Sequence, residues 1–495
     1  MPARTGAEFL RGLNDGREIW VGNEKVSDVT GHPAFAGAAH GLAGSFDIQH
    51  KYPDDCLMAD PETGEKINVS HMIPRSKEDV ARRHKGLERY AEYTVGYMGR
   101  TPDYMNVTYA GFAARPDEWG AQGNERGAEN LVAYQKFLRR NDISLTHTII
   151  QPTIDKSQGD APKPGNDVAL HKVGETEHGI IVRGARILAT LAPFADELAV
   201  YPAHPLPEGA EDYALSFCIP MATPGLKFIC RDSCASNGNV FDHPLSSRFD
   251  EQDAFVIFDD VEVPWDRLHI NCNVAVYNQV MSTGWFPNVM QQTMIRAQTK
   301  LEFAWGLAAR MAESINDKAP ATMQMLGELW TFGEFARSCV DTAERNAMEF
   351  GNGAWFPHGA PLSALRATLP FWFPRVNEII RLIGSHNLLA APTVAQFNDP
   401  TLRPLIDRYM RGAGDVTAEE RARIFRLAWD FTGSALASRG EQYERFYLAS
   451  GARNQQVVHL TGDRGRANRL VDRFLTEPIV DVRAPATPVK VGKVA

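Results

Sequence analysis

Hydrophobic and polar positions follow two different periods along this chain, and the switches between them divide it into three parts. Near the N-terminus the helical period dominates. In "TGAEFLRGL", Thr5 stands three residues before Glu8, a capping-box spacing in which side chain and backbone satisfy each other's free N–H groups. "SKEDVARRHKGLERYAEYTVGYM" opens with Ser76 and acidic residues, and its apolar and aromatic residues recur at helical spacing. "GAENLVAYQKFLRRND" predicts another helix, closed by Asn141-Asp142. The texture changes near Ile143. "ISLTHTII", "GIIVRGARILAT", "ELAVYPA", "YALSFCIPM", "LKFICR" and "AFVIFDDVEVPW" are short β-rich runs split by Gly, Pro, Asn and Asp, with "DAPKPGND" as a loop among them. Long helical runs return with "NVMQQTMIRAQTKLEFAWGLAARMAESIN", "TMQMLGELWTFGEFARSCVDTAERNAMEF", "PRVNEIIRLIGSHNLLAA" and "ERARIFRLAWDFTGSALASRGEQYERFYLASG". The prediction is an α+β chain, mainly α. A helical domain (1–145) precedes an antiparallel, β-barrel-like domain (146–272) and an up-and-down four-helix bundle (273–475), and a tail (476–495) frays.

Bulk properties narrow the picture. The 495 residues suffice for several domains and a large core. A net charge of −9 argues against nucleic acid or an anionic membrane surface as partner, though not against a local basic pocket. Six sparse, irregularly spaced cysteines suggest free thiols in a reducing, cytoplasmic compartment. The opening residues lack a signal peptide's apolar core, and no apolar run is long enough to span a membrane. No G-x-G-x-x-G fingerprint is present, so a nicotinamide cofactor in a Rossmann domain is not expected.

Five stretches carry candidate chemistry. "GRTPDYMN" (99–106) places Arg100 four residues before Tyr104 at a helix-ending bend. A surface arginine beside a packed tyrosine explains it. So does an anion hole for a phenolate or carboxylate, with a fork of donors from Arg and one more from Tyr. In "SLTHTIIQPTIDKS" (144–157), His147 is either a satisfied structural residue or a group poised to exchange a phenol's proton. "GARILATLAPFADELAVYP" (184–202) reads as strand, turn and strand. It is a plain hairpin, unless Thr190 in the turn bonds the edge of a heterocycle. In "FDHPLSSRFDEQDAFVIFDDVEVPWDRL" (241–268), Arg248, Asp250, Glu251 and Asp253 precede an apolar strand, as at a salt-bridged sheet edge. Strand alternation sends neighbouring carboxylates to opposite faces, so no metal is expected. In "ASRGEQYERFYLASGARNQ" (437–455), Gly451 is either a left-handed helix cap or part of a small-residue patch that lets backbone approach a ligand.

Together these stretches resemble the 4-hydroxyphenylacetate 3-hydroxylase family, the oxygenase components of two-component FADH2-dependent monooxygenases. "HPLSSRFDEQDAFVIFDDVEVPWDR" is the most specific match, and "GRTPDY", "THTIIQPTIDKS", "GARILATLAP" and "SRGEQYERFY" follow the family's order. The resemblance covers about residues 5–475. It implies an acyl-CoA dehydrogenase-like fold, and FAD taken up as FADH2 from a separate NAD(P)H:flavin reductase. Reaction with O2 through a flavin C4a-hydroperoxide would then hydroxylate a phenol, such as 4-hydroxyphenylacetate, at the ortho position. Residue by residue, it implies that Arg100, Tyr104 and His147 receive the phenol, with His147 also near the flavin. Thr153, Ile154, Asp155, Lys156, Thr190, Leu448, Ala449, Ser450 and Gly451 match flavin contacts, and Ala203 and His204 lie in the loop that would cap the ring's far end. A homotetramer or homodimer packed through the bundle is implied as well.

The chain also departs from the family's text. Lys156 replaces an arginine, Gln151 stands where Asn or Asp is usual, and "SGARN" follows Ala449. Met290, Gln291 and Gln292 occupy the region where halophenol-oxidising relatives carry a histidine. The loop 201–215 holds no Arg or Lys, so no carboxylate clamp is evident in it. Three other readings compete. A 4-hydroxybutyryl-CoA dehydratase would need cluster-binding cysteines flanking Gly99–Tyr104, where none occurs. An acyl-CoA dehydrogenase would need a catalytic glutamate, and Glu302, Glu328 and Glu378 are not singled out. A non-catalytic flavin-binding protein would show no phenol turnover.

Overall fold

Helix starts follow their capping signals. Thr5 and Glu8 form the capping box of the helix Gly6–Gly12. Ser76 accepts from the Asp79 N–H at 3.1 Å and starts the helix Lys77–Tyr93. That helix stops at Tyr93 rather than running on to Met98, because Val95 (φ 49°) and Gly96 (φ 66°) turn left-handed. The structure, a computed structural model, describes residues 3–158, 161–234, 239–282 and 285–475. The tail 476–495 lies outside the described residues.

Two sheets form the middle layer. The larger has six strands in the order Glu24–Val26, Glu18–Val21, Leu226–Cys230, Asp253–Pro264, Gly179–Thr190, His171–Glu175. The smaller has the order Leu268–Asn271, Leu215–Pro220, Glu197–Val200, Leu145–Thr148. Most pairings are antiparallel, as expected, but two are parallel: Glu18–Val21 with Leu226–Cys230, and Leu145–Thr148 with Glu197–Val200. The run 184–202 is not a hairpin. Its first strand ends at Thr190, Leu191 turns left-handed (φ 65°), and the second strand joins the other sheet. Nor is the charged stretch before residue 253 a sheet edge, since the strand Asp253–Pro264 lies inside the six-stranded sheet.

The bundle is built around the helix Trp285–Ser314, which packs against Pro320–Arg345, Gly359–Gly384 and Ala418–Thr432, and also against Lys77–Tyr93 and Pro102–Ala113 of the N-terminal part. Together these give the helical, β and helical-bundle order of an acyl-CoA dehydrogenase-like fold. Two helices depart from expectation. The run 420–451 breaks at Gly433-Ser434, where Ser434 caps a new helix, Ala435–Phe446. Gly359–Gly384 starts well before "PRVNEII" and continues through Pro370 and Pro374. A proline removes the N–H that would serve the carbonyl four residues back. For Pro370 that carbonyl is Arg366, and the side-chain amide of Asn454 donates to it instead, at 3.4 Å. A buried stripe of Leu362, Leu365, Leu369, Phe373, Val376 and Ile380 holds the helix against the core.

One carboxylate pins the β layer to the bundle. Asp430 is fully buried, and its Oδ2 accepts from the N–H groups of Leu245 (2.7 Å) and Ser246 (2.8 Å) and from the Ser246 hydroxyl (3.2 Å). Hydrogen bonds to a buried charge are stronger than neutral ones, and losing the acceptor strands the donors. Asp430→Ala is therefore expected to lower the apparent Tm by roughly 2–6 °C and to speed tryptic cleavage at exposed Arg248. Unchanged melting and cleavage would show that the loop is held in another way.

Candidate active site

Arg100 lies in the bend between two helices, and Tyr104 sits not at a helix end but in the first turn of the next helix, Pro102–Ala113. Pro102 at the first helical position fixes φ and gives up an N–H that would be unpaired there anyway. Gly99 is required by close approach: a Cβ there would lie 2.2 Å from the Tyr443 hydroxyl oxygen. The Arg100 backbone N–H donates to Glu251 Oε1 at 2.6 Å. Its guanidinium is left among aromatic rings, 4.0 Å from the Tyr104 centroid, 5.2 Å from Tyr447 and 5.9 Å from Tyr443. Nη1 of Arg100 is buried with no hydrogen-bond partner among the described residues. Burial opposes the charge, but the surrounding phenols of Tyr104, Tyr443, Tyr201 and Tyr447 outweigh it and hold the pKa above its ordinary value.

His147 is buried in the strand Leu145–Thr148, between two tyrosine rings. Tyr104 stacks at 5.7 Å and Tyr201 at 5.3 Å, with interplanar angles of 22° and 27°. Burial first, and then the Arg100 charge, push the His147 pKa well below 6.5. The imidazole is therefore neutral, with one ring nitrogen free to accept. Arg100, Tyr104 and His147 thus come together as one unit. Sequence reasoning missed Tyr201, Tyr443 and Tyr447. Tyr443 and Tyr447 stack on each other at 4.4 Å, and their i, i+4 spacing in "YERFY" was the available signal.

Beside this unit opens a cavity of about 340 Å³, lined by Arg100, His147, Thr190, Asp253, Arg439 and Gln442, with Ile149, Ile150, Leu188 and Phe446 as apolar wall. Thr190 donates its hydroxyl proton to Asp253 Oδ1 at 2.8 Å, and its carbonyl accepts from Thr146. Asp253 in turn pairs with Arg439 through both carboxylate oxygens (2.7 and 2.8 Å), and Arg439 reaches Glu251 at 2.6 Å. The carboxylates of the charged stretch thus set the position of Arg100 and Thr190.

The remaining sequence-selected residues do not line this cavity. Thr153, Ile154 and Asp155 line a separate, exposed pocket of about 280 Å³ with Lys163, and Lys156 is exposed beside it. Gln151 is tied into the fold, its Oε1 accepting from the Leu170 N–H at 3.1 Å. Gln291 is buried away from the stack and accepts from Arg83 at 2.8 and 2.6 Å. Leu448 is buried, with its carbonyl accepting from Arg366 at 2.9 Å. The left-handed residue of this segment is Ala449 (φ 69°), not Gly451, which opens the helix Gly451–Thr461 capped by Ser450. Ala203 and His204 are half-buried, and His204 Nδ1 lies 3.2 Å from Arg453 Nη2.

Comparison with known proteins places the chain. Two family models cover it, "4-hydroxyphenylacetate 3-hydroxylase N terminal" over residues 5–270 and "4-hydroxyphenylacetate 3-hydroxylase C terminal" over 276–476. A 4-hydroxyphenylacetate 3-monooxygenase oxygenase component of Thermus thermophilus is 36% identical, with 96% of this chain and 98% of that protein covered. The oxygenase component of a 4-nitrophenol 2-monooxygenase of Rhodococcus sp. is 32% identical, with 90% and 86% covered. A crystal structure of the oxygenase component of 4-hydroxyphenylacetate 3-monooxygenase, complexed with FAD and 4-hydroxyphenylacetate, superposes with a TM-score of 0.90 at 36% identity, covering 96% of this chain and 98% of that one. On these grounds the chain belongs to the 4-hydroxyphenylacetate 3-hydroxylase family.

Proposed function

We propose that this chain is the oxygenase component of a two-component, FADH2-dependent monooxygenase that hydroxylates a phenol ortho to its hydroxyl, with 4-hydroxyphenylacetate or a close analogue as substrate. One observation carries the reading. Half-buried Arg100 holds its cation among aromatic rings, with a buried, unpaired Nη1, no carboxylate on its guanidinium among the described residues, and a cavity in front of it. An unpaired buried donor favours an incoming anion, and a phenolate is an anion with an aromatic ring to match the walls.

The residues present fit a flavin. The cavity has an apolar wall for a ring system, and Lys163, in the neighbouring pocket with Thr153, Ile154 and Asp155, offers charge for phosphates. Lys156 and the segment Leu448, Ala449, Ser450 and Gly451 complete the proposed contacts. Because Thr190 commits its proton to Asp253, its oxygen is left as an acceptor, suited to an N–H of reduced flavin. When bound, reduced FAD with O2 supplies an electrophilic oxygen. A separate NAD(P)H-dependent reductase is the proposed source of FADH2.

The chain's own residues prepare the phenol. Arg100 favours the phenolate, whose ring is richer in electrons at the ortho carbon. Neutral His147 accepts the phenol proton, and Tyr104 orients the ring. Ala203 and His204 border the opposite end. Ile150, Leu188 and Phe446 of the apolar wall are exposed in the chain alone, so a flavin ring covering them would be what keeps water from the reacting oxygen.

The direct test mixes the protein anaerobically with reduced FAD, adds oxygenated buffer and a phenol, and measures hydroxylated product. Formation of a catechol supports the reading; return to oxidised flavin with no product from any phenol refutes it. Arg100→Ala is expected to cut product at least about 100-fold, the scale of losing a charged donor at the reacting group. Oxygen uptake should continue, with H2O2 released. An equal fall in oxygen uptake would contradict the assigned role.

The state of His147 gives a pH test. Its pKa is depressed in the folded chain, so the unfolded chain binds the extra proton first as pH falls. Its contribution to stability is complete above 6.5 and is lost as pH drops below that value toward the folded pKa. NMR titration of the ring should show it neutral through pH 6.5. In Arg100→Gln the midpoint should rise, and only in part, because burial remains. A wild-type midpoint at 6.5 would overturn the assignment.

A further inference from the structure

A guanidinium taken out of water ordinarily meets a carboxylate, and two cations of the surrounding framework do. Arg439 pairs with Asp253 and Glu251, and Arg296 pairs with Glu444 at 2.7 and 2.9 Å. Arg100 has no carboxylate on its guanidinium among the described residues. A pair of rings lies near it instead. Tyr443, in the helix Ala435–Phe446, and Tyr447, which caps that helix, are four residues apart and so share one face. They stack at 4.4 Å with an interplanar angle of 12°, and both line the cavity in front of Arg100. The Arg100 guanidinium carbon is 5.2 Å from the Tyr447 centroid and 5.9 Å from that of Tyr443.

Other groups fix the pair. Arg296 Nη2 donates to the Tyr447 hydroxyl at 2.8 Å, and the Arg439 guanidinium lies 4.5 Å from the Tyr443 centroid. The Tyr443 hydroxyl is buried without a partner among the described residues and packs against Gly99, where a Cβ would come within 2.2 Å of its oxygen. The stack therefore bears on the backbone immediately before Arg100 as well as on its side chain. Burial pushes both phenols above their ordinary pKa, so the rings stay uncharged. A carboxylate in their place would cancel the Arg100 charge, and an incoming phenolate would have to displace it. An aromatic face attracts a cation through its quadrupole and cancels no charge.

We propose that Tyr443 and Tyr447 are positioning residues for the hydroxylation: a stacked, uncharged pair that fixes the Arg100 guanidinium at the cavity with its charge available, and so sets how far the site favours a phenolate over the neutral phenol. The proposal rests on the phenol-site assignment above and extends it to residues that act through Arg100.

The probe is 4-nitrophenol, because its phenolate absorbs visible light and its neutral form does not. The full chain with reduced FAD is titrated with pH under anaerobic conditions, and the spectrum is read against the same sample without the phenol. The midpoint of the bound probe should lie below that of the free one. Tyr443→Leu and Tyr447→Leu should each raise it toward the free value by about one pH unit, a tenfold loss of phenolate preference. Tyr443→Phe and Tyr447→Phe keep the rings and should keep most of the preference. Because Tyr447 is half-buried, its variant stays informative even if Tyr443→Leu disturbs the fold. Arg100→Gln should remove the preference, and adding Tyr447→Leu to it should change nothing more. An unmoved midpoint in Tyr447→Leu overturns the proposal. So does an equal shift with and without Arg100, which would make the rings act on the probe directly. A wild-type midpoint that Arg100→Gln leaves unchanged refutes the phenol site itself and this inference with it. A chain whose midpoint follows these variants but which forms no catechol with O2 refutes the reaction proposed above and leaves the positioning role supported.

Discussion

Arg439 is the joint on which the site depends. It comes from the helix Ala435–Phe446 and packs half-buried against the β layer, where it meets Asp253 through two hydrogen bonds and Glu251 through a third. The same two carboxylates serve other elements. Glu251 receives the backbone N–H of Arg100, and Asp253 receives the Thr190 hydroxyl and the Arg231 guanidinium. One cation therefore sets bundle, β layer and N-terminal part in register at the place where they enclose the cavity. Such a buried network adds little net stability over an apolar alternative, because desolvation offsets the attraction. Breaking one member is another matter, since it leaves an uncompensated charge. The arrangement is better understood as fixing geometry than as holding the chain folded.

A contrast follows between paired and unpaired cations. Arg296 and Lys300 share Glu444, whose pKa is lowered to about 2; burial opposes that ionisation and the two cations overcome it. Arg296 also donates to the Tyr447 hydroxyl at 2.8 Å, which steadies the ring lying against Arg100. Arg296, Lys300 and Arg439 are thus neutralised by carboxylates, whereas buried Arg186 donates to the Ile149 carbonyl instead. Arg100 likewise has no carboxylate on its guanidinium among the described residues, because Glu251 takes its backbone N–H. Its side chain keeps its charge for something that arrives from outside.

How much of this could be read from the sequence depends on the range of the interactions. The capping boxes and the N-cap at Ser76 act within three residues, so helix starts were readable. The order of helical, β and bundle segments follows from local period, and it held. What failed was long-range. Nothing local says that the strands on either side of Thr190 belong to different sheets. Nor does local sequence reveal that Asn454 replaces the N–H missing at Pro370 in a helix that continues through that proline. In the site, Arg100, Tyr104 and His147 were recognisable because family resemblance singles them out, and they do meet. Tyr201, Tyr443 and Tyr447, which make the surroundings aromatic, look like ordinary core residues in sequence. Glu251 and Asp253 suggested a sheet edge because charge density is visible in sequence and pairing is not.

Charge shows the same separation of scales. A net charge of −9 would, by itself, disfavour an anionic substrate. Yet exposed charges are screened beyond about 8 Å at physiological ionic strength, so the distant acidic surface contributes little inside a cavity. There the nearest groups decide: Arg439 is neutralised by Asp253 and Glu251, while Arg100 has no carboxylate on its guanidinium among the described residues. Desolvation strengthens their reach where water is excluded. An acidic protein can thus present a locally cationic cavity, and raising the salt concentration should weaken long-range effects on the approach of an anion far more than its hold once bound. Overall charge bears on solubility and encounter. What a cavity favours is set instead by the few groups that line it, and by which of them folding has already paired.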